Sequence, residues 1–435
     1  MIIHPSTVAI IADDLTGAND SALQFQQQGA AVQILLDTKN EPVNLENTQT
    51  WAISTESRNI EPVEAYKKVT QAARFFKEKI NPDFYYKKID STIRGNIAVE
   101  VLALLDELDF DVSVIIPAFP AETRVTVGGY HLLRGVPIER TEMARDPYSP
   151  IFESHLPTLL RSQLDEESKD LVGLIELKTV MKGAGPIIRE LNNLIFQGKK
   201  LIVTDAMSTV DIEQVILAIG KCEHKILPTG TAAAARILSK EWLPDLEPQQ
   251  FASNLPELPK FVVSGSATQI TANQIDKLDE SDEFENQLII SLDMKTILGG
   301  VTDELVDRVV NNLGNNNIVV VHTSKLIKDF DGFSEDSLKA ELTKASLAWV
   351  ITDFLAELTK RVIAKKKTIL ITLGGETSYK CCSAIGATQL QLIDEVAPAI
   401  ALSKANSEQW IVTKSGNLGS INTLIDILKY FEHHE

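Results

Sequence analysis

Two carboxylates stand side by side where an apolar run stops, in Ala12-Asp13-Asp14-Leu15-Thr16-Gly17. Open α/β sheets bind ligands beyond the carboxyl ends of their strands. There, one carboxylate can take the proton of a substrate hydroxyl while the other faces a metal or caps the next helix. Capping of a helix from about Leu15 would also account for both. A second cluster is Tyr86-Lys87-Lys88-Ile89-Asp90-Ser91-Thr92-Ile93-Arg94-Gly95. Strand alternation sends Lys87 and Lys88 to opposite faces. Beyond the strand, Asp90, Ser91, Thr92 and Arg94 crowd together the donors and acceptors that a polyhydroxy acid needs, just ahead of a helix N-terminus. The plainer account is an N-cap at Ser91 or Thr92 and a solvated Arg94. Arg58, just past a third run, offers a planar fork suited to a carboxylate, although an arginine so placed is more often in a surface ion pair.

Glycine turns follow three later runs: Ser264-Gly265-Ser266, Gly374-Gly375-Glu376-Thr377 and Lys414-Ser415-Gly416. Glycine lets backbone amides approach phosphate oxygens, and a following helix adds its positive end, so three such turns suggest a phosphate-bearing ligand. No GxxxxGK[ST] or GxGxxG pattern occurs in them, which disfavours a Walker-type NTPase and a dinucleotide site. His131, in the long turn-rich excursion after Pro117, reads as a structural histidine. Adjacent Cys381 and Cys382 read as helix packing.

The elements that must hold these residues alternate. Short Val- and Ile-rich runs at 8–12, 32–36, 85–89, 112–116 and 201–204, then 261–263, 288–291, 318–322, 368–373 and 410–413, have the character of strands buried on both faces. Helical stretches such as 61–79, 97–108, 303–313 and 337–365 lie between them. This predicts an α/β fold of two lobes with mainly parallel sheets. Pro244, Pro248, Pro256 and Pro259 mark a connector, giving domains 1–250 and 251–435, the second sized for a five-stranded sheet. An active site in a cleft between the lobes is expected.

The 435 residues are 44% hydrophobic and 23% charged, the balance of a globular protein, and the net charge of −18 argues against nucleic-acid and membrane partners. Three cysteines make no disulfide framework, the histidines show no zinc spacing, and no run spans a bilayer. The start of the chain does not read as a signal peptide, so a cytoplasmic location is expected.

Taken in order, ADDLTGAND, KKIDSTIRGN, IIPAFP with TVGGYHLLRGVPIERTEMARDP, VSGSATQITANQI, LITLGGETS and KSGNLG resemble the motifs of the four-carbon acid sugar kinases over nearly the whole chain. The resemblance implies ATP-dependent phosphorylation of a hydroxyl on threonate, erythronate or an oxo-tetronate. It implies substrate contacts from Asp13, Asp14, Arg58 and the Lys88, Asp90, Ser91, Thr92 stretch, and ATP contacts at Ser264, Gly374, Gly375, Glu376, Thr377 and Gly416. Three departures stand out: Glu376 replaces the usual aspartate, Thr229–Ala234 replaces a Gly-Ser-Ala-Gly stretch, and the loop after IIPAFP lacks the usual Gly-Arg-Thr. The expected mechanism has Asp14, or failing it Asp13, as base. Arg58 and the cluster from Lys88 to Arg94 hold the acid, and the glycine turns hold ATP with Mg²⁺, whose protein ligand the sequence does not name. A non-catalytic sugar-acid or nucleotide sensor and a sugar-phosphate lyase or isomerase are the alternatives; homo-oligomerisation stays open.

Overall fold

Strands of four or five residues that are apolar throughout can be buried on both faces only beneath helices, and the first half of the chain builds such a sheet. The computed structural model describes residues 6–146, 149–247, 255–314, 318–326, 344–405 and 408–432. The chain divides into two units, Met1–Gln249 and Gln250–Glu435. In the first, β1 (Val8–Ala12), β2 (Val32–Leu35), β3 (Thr50–Ser54), β4 (Phe84–Lys88), β5 (Val112–Ile116), β9 (Val172–Ile175), β10 (Leu201–Thr204) and β11 (Ile226–Gly230) lie in the order β2-β3-β1-β4-β11-β5-β10-β9. Every neighbouring pair is parallel. The chain leaves β1 toward β2 and leaves β4 toward β5, in opposite directions, so a crevice opens at the carboxyl ends of these two strands. The helices Leu15–Gln27 and Ala232–Trp242 pack on each other, as do Pro62–Lys79 and Ile97–Leu108. A small antiparallel sheet, β6 (Arg124–Val127), β7 (Tyr130–Leu133) and β8 (Val136–Pro137), forms the excursion after β5.

The second unit has five parallel strands, β12 (Lys260–Ser264), β13 (Gln287–Ser291), β14 (Ile318–His322), β15 (Ile369–Leu373) and β18 (Trp410–Lys414). Antiparallel β16 (Gln389–Ala397) and β17 (Ile400–Ala405) extend them, in the order β13-β14-β12-β15-β18-β17-β16. This corrects the expected count of five. β16 is only partly buried, so its polar–apolar alternation leaves no continuous apolar run to notice. β11 was also not anticipated, because Pro228 sits in a central strand, where proline is normally excluded. Its ladder to β4 is confined to Thr229 and Gly230, past the proline. Of the anticipated helix 337–365, Lys344–Lys365 is present and 337–343 lies outside the described residues. No helix among the described residues is long and apolar enough to cross a membrane.

Lys87 and Lys88 do part company. The fully buried Lys87 ammonium meets Glu100 of the helix Ile97–Leu108 at 2.7 Å beneath the sheet. Removing one partner of a buried pair strands the other charge, at a cost of about 3–5 kcal/mol, whereas removing both costs far less. Lys87→Met should therefore lower the urea-unfolding free energy by about that amount. Lys87→Met with Glu100→Met should recover most of it, and an unrecovered double variant would refute the pairing as the cause.

Candidate functional site

At the end of β1, Asp13 and Asp14 are both buried. Asp14 is the N-cap of Leu15–Gln27: its Oδ1 accepts from the Gly17 amide at 2.8 Å and its Oδ2 from the Thr16 hydroxyl at 2.8 Å. Gly17 must be glycine, since a Cβ there would lie 2.6 Å from Asp14 Oδ1 and 3.2 Å from Lys88 Nζ. The same helix start is held by Glu56, whose carboxylate accepts from the Leu15 amide at 3.0 Å and whose own backbone adopts a positive φ of 45°.

Arg58 does not turn its fork outward. Its Nε donates to Asp13 Oδ2 at 2.7 Å, Nη2 to Asp13 Oδ1 at 3.0 Å, and Nη1 to Asp14 Oδ2 at 2.7 Å, with Asp90 at 3.8 Å. Burial pushes the Asp13 carboxyl up, and the Arg58 guanidinium outweighs it, holding the group below the usual carboxylate range. Arg94 is likewise engaged rather than solvated, donating from Nε (2.8 Å) and Nη2 (3.1 Å) to Asp90 and from Nη1 to Asp146 at 2.7 Å. Burial acts upward on Asp90 too, but Arg94 and Arg58 hold it well below the usual range. Asp90 also accepts from the Thr92 hydroxyl, and the turn places buried Ile93 at a positive φ of 57°. A β-branched residue in that region is strained, as functional loops often are. Ser91 is held by its carbonyl, which accepts from His131 Nε2 at 2.9 Å while His131 Nδ1 meets the Thr126 hydroxyl at 3.0 Å. Burial lowers the His131 pKa to about 4, so it is a neutral structural brace. Lys88, buried on the other face from Lys87, donates to the Ile89 carbonyl at 2.9 Å and has no carboxylate partner among the described residues. The structure thus gathers Asp13, Asp14, Arg58, Asp90 and Arg94 into one network, with Lys88 beside Gly17.

Sequence reasoning passed over two residues of this pole. Asp20 lies one turn beyond Gly17, inside the quoted ADDLTGAND; its buried Oδ1 has no partner, and burial raises its carboxyl to about 6. Arg124 opens β6 in the loop noted only for what it lacked.

In the second unit, the chain leaves β12 and β15 toward opposite sides, and the glycine turns stand at the carboxyl ends of these strands and of neighbouring β18. Ser264 Oγ is buried and has no hydrogen-bond partner among the described residues. A Cβ on Gly265 would lie 2.5 Å from Thr377 Oγ1, and one on Gly416 would lie 2.5 Å from Ser266 Oγ, so the three turns close against each other as only glycine permits. Gly374, at φ 114°, precedes the helix Gly375–Ala384, which has no side-chain cap among the described residues, so its first turn lacks the side-chain acceptor that caps other helix starts. Cys381 and Cys382 are buried in that helix, as packing requires. Beneath the turns lies fully buried Lys414, which the sequence reading quoted but did not assign. It donates to the Ser415 carbonyl at 2.9 Å, lies 3.5 Å from the Thr271 hydroxyl, and has no carboxylate partner among the described residues. Among the described residues no group of three or more His, Cys, Asp or Glu side chains is arranged to hold a metal.

A sugar-binding N-terminal domain model matches residues 8–238, and a nucleotide-binding C-terminal domain model matches residues 261–424. A protein of Heliobacterium modesticaldum named D-erythronate kinase is 29% identical, covering 98% of this chain and 97% of its own. A Salmonella typhimurium protein named D-threonate kinase is 29% identical, over 97% of this chain and 98% of its own. The crystal structure of a Haemophilus influenzae protein superposes with a TM-score of 0.71 at 25% identity, covering 98% and 99% of the two chains. The class is therefore a two-domain, sugar- and nucleotide-binding α/β protein. Within it, the chain belongs to the four-carbon acid sugar kinase family.

Burial lowers the Lys414 pKa from 10.5 to about 7. Between those two values the unfolded chain holds this proton and the folded chain does not, so this group makes stability rise with pH there, by up to about 1.4 kcal/mol per unit. Urea titrations of the full chain from pH 7.5 to 9.5 should show the second unit gaining stability relative to Lys414→Met. Parallel pH profiles for the two proteins would disprove the depressed ammonium.

Proposed function

We propose that this protein transfers the γ-phosphoryl group of ATP to a hydroxyl of a four-carbon sugar acid of the erythronate, threonate or oxo-tetronate type, and that residues 1–250 bind the acid and 251–435 the nucleotide. The observation that carries the reading is the contrast between the two crevices: charged side chains line one, and backbone amides and hydroxyls line the other, above one buried lysine. The first suits a small polyhydroxy anion and the second a polyphosphate.

Asp14 is the proposed base, with Asp13 behind it. Arg58 holds both in place, and a weakly basic carboxylate is adequate because phosphoryl transfer passes through a loose transition state in which the hydroxyl proton leaves late. Lys88, Asp90, Ser91, Thr92 and Arg94 would orient the acid, with Arg58 acting mainly through the two aspartates it holds. Ser264, Gly374, Gly375, Glu376, Thr377 and Gly416 would cradle the triphosphate above Lys414. Mg²⁺ would enter with the phosphates, keeping waters as most of its shell; the ion's chemistry is to neutralise phosphate charge.

An ATP-coupled screen of D- and L-erythronate, D- and L-threonate and their oxo forms should show turnover with at least one acid. Ligand binding without ATP consumption would identify a sensor instead. Asp14→Asn preserves the cap, since asparagine caps as well as aspartate. It should lower kcat at least about 10²-fold with KM for ATP near wild type, while the loss of one of Arg58's carboxylate partners lowers stability. An unchanged kcat would remove Asp14 from the chemistry.

A further inference from the structure

We infer that Arg124 receives the carboxylate of the acceptor and so selects acids over neutral polyols; this rests on the kinase reading above. Three guanidinium groups belong to the first unit's polar cluster. Arg58 and Arg94 are saturated by Asp13, Asp14, Asp90 and Asp146 at 2.7–3.1 Å. An incoming carboxylate would have to displace a resident one to reach either. Arg124 is only 8% exposed; among the described residues its buried Nε has no hydrogen-bond partner and its nearest carboxylate is Glu122, at 3.9 Å.

The backbone holds this side chain in place. Phe119 and Arg124 exchange main-chain hydrogen bonds of 2.8 and 3.1 Å, closed by Thr123 in the left-handed region at φ 56°, and Arg124 pairs with Leu133 of β7. The Pro-Ala-Phe-Pro turn thus presents Arg124 at the start of the small sheet. Burial pushes its pKa down against the pull of Asp90, Glu122 and Asp20, which marks a cation whose partners do not fully offset its desolvation. An arginine does not escape that cost by losing its proton, so the site is completed by an anion, and a carboxylate is the anion that fits a fork with parallel N–H donors. Asp20, near enough for its field to reach Arg124, keeps an unpartnered Oδ1 suited to a hydroxyl of the same molecule.

The test is steady-state kinetics of the full chain with ATP, using whichever of D-erythronate and D-threonate the wild type turns over. Erythritol, a four-carbon polyol without a carboxylate, is compared as substrate or as competitive inhibitor. Arg124→Met should raise KM for the acid about 10²-fold, the scale of a lost charge-assisted bidentate contact, with kcat within about threefold. The erythritol constant should stay within about threefold of wild type, so the preference for acid collapses. Arg124→Lys, which keeps the charge but not the fork, should fall between. A retained kcat and an unchanged circular-dichroism spectrum in both variants would report an intact first unit. An unmoved KM for the acid, or equal losses on acid and polyol, overturns the assignment while leaving the kinase reading in place. A wild type that turns over none of the four-carbon acids removes the kinase reading and this inference with it.

Discussion

A guanidinium locked between two adjacent carboxylates is the constraint on which the first unit's chemistry depends. Two adjacent carboxylates in a buried strand end repel each other unless a cation stands between them. Arg58, delivered from the end of β3, supplies it. The interaction holds the Asp13 carboxyl below the usual range, ties the end of β3 to the start of the helix Leu15–Gln27, and brings Asp90 within 3.8 Å of the same group. Pairing of this kind holds charged groups in one geometry, which is what positioning a small ligand requires, even where its net contribution to stability is small.

The two units form a crevice at their strand ends by the same topological route and equip it differently. In each, the chain departs from adjacent parallel strands toward opposite sides, leaving strand ends and helix starts exposed together. The first unit fills that place with long charged side chains, buried and cross-linked. The second empties it of side chains, using glycines so that backbone amides and small hydroxyls face the space, with Lys414 the one buried ammonium seen beneath the turns among the described residues. Charge on side chains can discriminate among hydroxyls and carboxylates by geometry. Amides and a helix terminus bind phosphate with less regard to what it is attached to, as a nucleotide's donor end demands.

The sequence by itself determined the α/β class, the division near residue 250, the strand ends that carry polar residues, and the opposite faces of Lys87 and Lys88. These are consequences of local composition: continuous apolar runs, clustered prolines, glycines after strands, and the two-residue period of a strand. Glu100 as the partner of Lys87, the hairpin strands β16 and β17, and β11 with its proline depended on contacts between segments far apart in the chain. Only the tertiary structure decided which arginine is committed and which is available. Arg58, Arg94 and Arg124 are alike in a sequence, each beside a turn and each near acids. Which of them meets a carboxylate depends on how β3, β4 and the small sheet converge, and charge pairing through space leaves no periodic trace along the chain.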